Sequence, residues 1–169
     1  MIKPAVTPRE SWWRRWLVAP VISQLTVGSS PERIGWTMAL GIVLGVFPIM
    51  GSTTLLCLLV GWILHLNQPI LQVFKALVYP LHLALILVFI RLGERLYGAP
   101  LITFSIPQMI GKFKADPLLF ARDFGMAAWH GVSAWLLIAP LAALLIKLAL
   151  MPALRKMTDS LARRREVTS

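Results

Sequence analysis

Residues 34–90 read IGWTMALGIVLGVFPIMGSTTLLCLLVGWILHLNQPILQVFKALVYPLHLALILVFI. Lys75 is the only charged residue in these fifty-seven positions. A soluble domain of this size has too small a core to bury so much apolar surface, whereas a lipid bilayer accommodates it. The stretch therefore predicts an all-α fold of the membrane class, a small polytopic helical protein with interfacial amphipathic helices.

The composition of the whole chain favours the same class. Of its 169 residues, 57% are hydrophobic and 14% are charged, whereas soluble domains have about 45–50% apolar and about 25% charged residues. The formal net charge is +10, but the basic residues lie at both termini and in one middle segment. That distribution is typical of topology signals and of contacts with anionic lipid headgroups. We therefore expect membrane lipid, and no nucleic acid, as a partner.

The first thirty residues are expected to contain a flexible lead and a short interfacial helix on the cytosolic side. Trp12, Trp13 and Trp16 stand beside Arg14 and Arg15. Tryptophan favours the headgroup level of a membrane, and arginine favours anionic lipid. The alternative is a plain cytosolic tail that is rich in tryptophan.

Residues 34–66 contain two short apolar runs on either side of a break. The sequence Ser-Ser-Pro-Glu at 29–32 predicts a helix start, and Gly41 and Gly45 are spaced for a close helix crossing. The runs are about fourteen and twelve residues long, whereas a spanning helix needs roughly 20. Three arrangements fit this pattern: a re-entrant hairpin, two short tilted spans, or one long kinked span.

The break between the two runs contains the first group of candidate substrate-binding residues. Pro48 and Gly51 interrupt the helix, and Ser52, Thr53 and Thr54 supply hydroxyl groups. Backbone groups freed at such a break need partners from protein or from water in a cavity. Discontinuous helices in transporters often mark the substrate site. The alternative is a proline kink whose hydroxyls bond back to their own helix.

A span over residues 70–90 is expected next, with polar side chains on one face. Spacings of four, three, four and three residues place five side chains together: Gln68, Gln72, Lys75, Tyr79 and His82. A lysine at mid-depth in lipid is costly, so we expect this face to point to a protein interior or a wet cavity. Alternatively, Lys75 reaches a nearby headgroup layer. Pro80 is expected to kink the helix.

Charged residues close this span. Arg91, Glu94 and Arg95 have the spacings of side-chain pairs on one helical face. They form either a solvated ion-paired surface or, beside a membrane, a place where the two arginines bind a phosphate. Arg91 and Arg95 are therefore candidate substrate-binding residues together with Lys75, Tyr79 and His82.

The rest of the chain is expected to contain an amphipathic loop, a span and a tail. Residues 98–123 would hold one or two short helices, and residues 124–150 would form a span that Pro140 bends. Residues 152–169 would form a basic cytosolic tail. The membrane domain would then cover residues 31–151.

Basic residues at both ends predict that both termini are cytoplasmic. The number of crossings must then be even, which two full spans plus a re-entrant hairpin satisfy, as do four short spans. Both arrangements place the loop after Ile90 outside, although that loop is itself basic. In the alternative, Pro140 folds the last apolar segment into a second hairpin and the loop is cytosolic.

Three segments together resemble the DUF2062 family of bacterial membrane proteins: SPERIGWTMALGIVLGVFPIMGSTTLLCLL, LNQPILQ and LVYPLHLALILVFIRLGERLYG. The likeness covers about residues 30–150. This chain has Lys75 where the most similar branch is expected to have asparagine, and His82 where glutamine is expected. The resemblance implies an integral membrane fold and implies no reaction. We expect a multi-pass protein of the bacterial inner membrane.

An enzyme is not expected, because the chain has only 7 acidic residues, three scattered histidines and a lone Cys57. We expect no catalytic residues, no metal site and no cofactor. The leading hypothesis is a small transporter or translocator of an anionic lipid or lipid-linked phosphate. The alternative is a non-catalytic accessory or assembly subunit of a membrane or envelope complex. A homo-oligomer or a membrane partner protein is compatible with either hypothesis.

Overall fold

The computed structural model describes Ser23 and residues 30–100 and 106–168, and every regular element in these ranges is an α-helix. The interfacial helix expected within residues 1–30 lies outside the described residues. The helices in chain order are α1 (Pro31–Gly45), α2 (Thr53–Ile63), α3 (Gln68–Leu77), α4 (Tyr79–Leu96), α5 (Ile106–Ala115) and α6 (Pro117–Thr168).

Local capping chemistry starts the first and third helices. The backbone N–H of Arg33 donates to the Ser30 side chain at 3.3 Å, and Pro31 follows at the first helical position. In the same way, the N–H of Ile70 donates to the side chain of Asn67 at 3.1 Å at the start of α3. These bonds satisfy amides that have no partner inside the helix. The predicted helix start at 29–32 is confirmed.

Helices α1 and α2 form a hairpin that turns at the Pro48–Thr54 break. One guanidinium nitrogen of Arg33, near the start of α1, donates to the backbone oxygen of His65, just beyond α2, at 2.7 Å. The beginning and the end of the pair therefore lie side by side. Of the three arrangements that the sequence left open, the single long kinked span is wrong, because its two ends would lie far apart.

Close packing of α1 on α3 holds the hairpin in place. A Cβ atom at Gly41 would lie 2.8 Å from the backbone oxygen of Leu71, and one at Gly45 would lie 3.1 Å from the Cα of Lys75. Only glycine allows the two backbones to approach this closely. The close crossing predicted from the spacing of Gly41 and Gly45 is present, and α3 is the partner helix.

The single span expected over residues 70–90 is two helices, α3 and α4, bent by 70° at Val78. Pro80 lies in the first turn of α4. Proline removes one backbone donor and disfavours helical backbone in the residue before it, so the predicted kink becomes a full break. The expected continuous polar face is therefore wrong: Gln68, Gln72 and Lys75 lie on α3, and Tyr79 and His82 lie on α4.

Helix α6 runs antiparallel to α1 and packs along it. The indole nitrogen of Trp135 donates to the backbone oxygen of Val43 at 3.1 Å, in the buried core. Near the other end of α1, Gly35 packs against Met151 and Leu154. The start of α1 thus lies beside the later part of α6, and the end of α1 lies beside the middle of α6.

The boundaries expected after Tyr97 differ from the structure. Helix α6 begins at Pro117 and continues without interruption to Thr168, so it includes the end of the expected loop 98–123, the span 124–150 and most of the tail 152–169. The second hairpin considered at Pro140 is wrong. Buried Ala139 and Ala143 pack into the main core, and this packing keeps the helix continuous although proline removes one backbone bond.

One helix in the described ranges is long and apolar enough to cross a membrane, namely α6 over Pro117–Ser160. The bent pair α3–α4 is a second candidate if it forms a single broken span. The expectation of two or more full spans is thus reduced to one helix, or two with the bent pair. The length and composition of α6 favour a membrane location.

Gly93 should tolerate no side chain. A Cβ atom at Gly93 would collide with the backbone of His130 on α6, whereas a Cβ at Gly125 meets nothing within 4 Å. We expect Gly93→Ala to lower the free energy of unfolding by about 1–3 kcal/mol through overpacking. Gly125→Ala is the matched control and should leave it unchanged or slightly higher. Thermal unfolding of the purified variants in detergent measures both, and equal stability of the two would contradict the α4–α6 contact.

Candidate functional site

Lys75 lies against the hairpin, close to where the chain turns. Its backbone packs on Gly45, and its ammonium donates to the hydroxyl oxygen of Thr54 at 2.7 Å. Thr54 is in the first turn of α2, and Lys75 is in the last turn of α3. Two of the candidate residues from separate parts of the sequence are therefore in direct contact.

Among the described residues, the ammonium of Lys75 has no acidic partner. The sequence has no aspartate or glutamate between Ile34 and Ile90, and the partner that the structure gives Lys75 is the neutral hydroxyl of Thr54. An ammonium has three N–H donors, so two remain for water or for an anionic group. Keeping a half-buried cation without a counter-ion costs free energy in a low-dielectric setting. An uncompensated cation of this kind is typical of a binding site.

The other candidate residues of the break either form the turn or are buried. The hydroxyl of Ser52 donates to the backbone oxygen of Ile49 at 2.9 Å. For Ser52, the structure therefore favours the alternative in which a hydroxyl of the break bonds back to the chain. Gly51 has a φ of 84°, a backbone conformation that favours glycine. Thr53 is buried at 7% exposure. Thr54 is thus the hydroxyl of the break that contacts Lys75.

An apolar cavity of about 360 Å³ lies beside the break. Pro48, Ile49 and Met50 form one wall, and the opposite walls come from α4 and α6: Ile86, Leu87, Ile90, Phe124, Ala127 and Ala128. None of the described residues that line it is charged. A cavity with such walls suits a hydrocarbon chain.

Tyr79 and His82 lie beyond the bend, on α4. Tyr79 is 54% exposed, whereas His82 is 1% exposed, and the two rings meet edge to face at 6.0 Å between centroids. Neither ring nitrogen of His82 has a hydrogen-bond partner in the described part of the chain. Among the described residues, no hydrogen bond joins either side chain to Lys75.

Arg91 and Arg95 lie towards the end of α4 that is opposite the bend. Arg91 is twelve residues after Tyr79 in an unbroken helix, which is about 18 Å at 1.5 Å per residue. One guanidinium nitrogen of Arg91 contacts a carboxylate oxygen of Glu94 at 2.8 Å, and the Glu94 side chain is fully buried. The sequence left open an ion-paired surface or a phosphate-binding place, and Arg91 forms the ion pair. Arg95 is exposed.

Gln68 and Gln72 are polar neighbours of Lys75 that were not among the candidate site residues. Gln68 donates its amide to the backbone oxygen of Leu58 on α2 at 3.0 Å, and the buried amide nitrogen of Gln72 has no partner within the described residues. Their spacing from Lys75 on α3 was the available signal. No group of histidine, cysteine, aspartate and glutamate in the described residues could hold a metal ion.

The chain belongs to the family described as "Uncharacterized protein conserved in bacteria (DUF2062)", which it matches over residues 14–163. This match confirms the resemblance noted in the sequence. No curated protein and no solved structure shows a significant match to the chain.

Lys75 and Glu94 should respond to neutralisation in opposite ways. Lys75→Met removes a charge that has no counter-ion among the described residues, so thermal stability in detergent should stay the same or rise. Glu94→Gln removes the charge of a fully buried carboxylate that is paired with Arg91, and the free energy of unfolding should fall by about 1–3 kcal/mol. A large loss of stability in Lys75→Met would mean that Lys75 is structural, and would remove it from the candidate site.

Proposed function

We propose that this protein is a multi-pass inner-membrane protein that translocates an anionic lipid or a lipid-linked phosphate. The observation that supports the proposal is the ammonium of Lys75, which lies at a helix break and whose partner in the described part of the chain is the neutral hydroxyl of Thr54. In lipid, such a cation favours an anionic group that enters the site. The phosphate of a lipid headgroup is the anion that a membrane supplies in quantity.

The surface of α6 supports the membrane location. Only 28% of the most apolar window of this helix is buried, whereas the core helix of a soluble protein is mostly buried. Leu137 and Leu141 on α6 are 67% and 61% exposed, and Trp62 on α2 is 74% exposed. Water solvates so broad an apolar surface poorly, and lipid tails solvate it well.

The antiparallel packing of α1 and α6 supports an orientation with both ends in the cytoplasm. Arg33 at the start of α1 lies at the same end of the bundle as Arg155 and Lys156, because Gly35 packs against Leu154. The positive-inside rule assigns that end to the cytoplasm. The turn of the hairpin and the end of α4 lie at the opposite end, where Pro48 approaches Gly131 of α6.

A lipid would use the two parts of the site for its two chemical parts. The headgroup phosphate would accept hydrogen bonds from the ammonium of Lys75 and from the hydroxyl of Thr54. These bonds would replace part of the hydration that the phosphate loses when it leaves water. The hydrocarbon chain would lie in the apolar cavity beside Pro48, Ile49 and Met50. Both parts adjoin the same helix break, so one lipid could occupy them while it changes leaflets.

The alternative is an accessory or assembly subunit. It is favoured by the exposed apolar face of α2, where Leu55, Leu59 and Trp62 are 71%, 53% and 74% exposed. Such a face could pack on a membrane partner or on a second copy as well as on lipid. Under this hypothesis, Lys75 would contact an acidic group of the partner.

Lipid movement tests the translocation proposal directly. The full chain is reconstituted in vesicles with a fluorescent lipid-linked phosphate or fluorescent phosphatidylglycerol, and a membrane-impermeant quencher reports lipid in the outer leaflet. We expect Lys75→Met to slow the movement at least about tenfold, because one charge-assisted hydrogen bond contributes about 1.5–3 kcal/mol, and Thr54→Val to slow it less. Lys156→Met is the matched control, because it removes an exposed lysine from the tail.

Two outcomes would overturn this assignment. Movement that is equally fast in Lys75→Met and Lys156→Met would exclude Lys75 from the pathway. No movement above that of empty vesicles for any of the lipids would favour the accessory role, and a stoichiometric partner recovered in mild detergent would then identify the complex.

Thiol labelling in intact cells tests the orientation. In a Cys57→Ala background, single cysteines replace Gly51, Ala99, Asn67 and Lys156. A membrane-impermeant reagent should label Ala99→Cys, and reach Gly51→Cys from that same side, whereas Asn67→Cys and Lys156→Cys should react only after permeabilisation. Labelling of Asn67→Cys and Ala99→Cys from one side would contradict the proposed topology.

A further inference from the structure

A second cleft lies at the end of the hairpin opposite the break, between the start of α1 and the end of α2. Its volume is about 550 Å³. The apolar part of its lining comes from Trp36, Leu40, Leu64 and Leu66, and the polar rim comes from Ser30, Glu32 and Arg33. The cleft is thus a hydrocarbon surface with a charged rim, and it is separate from Lys75.

Arg33 lines this cleft, whereas Lys147 lies beside it against the lining residue Trp36, and neither cation has a carboxylate partner in the described part of the chain. The guanidinium of Arg33 is fixed at the rim by its hydrogen bond to the backbone oxygen of His65, at 2.7 Å. The ammonium of Lys147, on α6, lies 4.7 Å from the ring centroid of Trp36. Glu32 is the one acid among the described lining residues, so the group of three charges remains positive.

We propose that this cleft binds an anionic glycerophospholipid. Arg33 and Lys147 would contact the headgroup phosphate, and an acyl chain would lie along Leu40 and Leu64. A free phosphate ion would contact the two cations but not the apolar lining. A lipid would contact both, so the cleft favours a lipid. The inference rests on the proposed membrane location, and the basic end of the bundle places the site in the cytoplasmic leaflet.

A lipid in this cleft would join three segments of the chain. Arg33 belongs to α1, Leu64 follows α2, and Lys147 belongs to α6. The hydrogen bond from Arg33 to the backbone of His65 is the polar contact that closes the hairpin there. The bound lipid would therefore stabilise the closed end of the hairpin, while the break with Lys75 stays available.

The experiment measures thermal unfolding of the purified full chain in a neutral detergent during titration with phosphatidylglycerol, phosphatidylcholine or inorganic phosphate. Phosphatidylglycerol should raise the unfolding temperature, and the two other additives should have little effect. Lys147→Gln should weaken the apparent affinity for phosphatidylglycerol about tenfold, as expected for one charge-assisted contact. This variant keeps the bond between Arg33 and His65. The matched control, Lys156→Gln, removes the same charge outside the cleft and should bind as the unchanged protein does.

Three results would overturn the inference. An equal loss of affinity in Lys147→Gln and Lys156→Gln would show general attraction of the lipid to the basic end of the bundle. A rise in unfolding temperature with phosphatidylcholine equal to that with phosphatidylglycerol would show that the headgroup charge is irrelevant. A rise with inorganic phosphate alone would show a site for a free ion. In a Lys75→Met background, Lys147→Gln should still weaken the apparent affinity for phosphatidylglycerol, because the two lysines belong to separate sites. A failure of this lipid site and a failure of translocation at Lys75 can therefore be distinguished.

Discussion

The structure depends on the close approach of α1 to α3 at Gly41 and Gly45. Backbone atoms of Leu71 and Lys75 occupy the space that side chains at these glycines would need. Dispersion attraction between the two backbones favours helix association even in lipid, where the hydrophobic effect contributes little between helices. The approach also brings the end of α3 beside the beginning of α2, so that Lys75 reaches Thr54. A packing constraint that two small residues satisfy therefore determines where the charge of the candidate site lies.

The second constraint is the need to satisfy the backbone groups that are left without partners wherever a helix begins or ends. Ser52 bonds to the backbone of Ile49 at the break, Asn67 caps α3, and the side chain of Gln68 bonds to a carbonyl of α2. These three side chains stabilise the fold by bonding to backbone groups, whereas Lys75 does not. Its bond to a neutral hydroxyl leaves most of its charge uncompensated, and a purely structural role does not require a charge at that position.

The features that follow from local chemistry could be predicted from the sequence. The helix start at Pro31, the crossing at Gly41 and Gly45 and the bend at Pro80 each depend on a few neighbouring residues. The features that depend on tertiary packing could not. The contact of Lys75 with Thr54 joins residues 21 positions apart. The kink at Pro80 was predicted, but its size of 70°, which divides the predicted polar face into two parts, was not. Pro140 resembles Pro80 in sequence, but packing of Ala139 and Ala143 keeps its helix unbroken.

Helix α6 has 52 residues, which corresponds to about 78 Å of rise along the helix axis, whereas the hydrocarbon core of a bilayer is about 30 Å thick. The part of the helix beyond Met151 would add about 25 Å of axial length on the basic side of the bundle. In a bilayer, this part would extend beyond the headgroups as a helix that begins at the interior proline Pro152. The distance from the membrane of any molecule bound at the end of this helix would then depend on helix length, and each added or deleted turn would change that distance by about 5.4 Å.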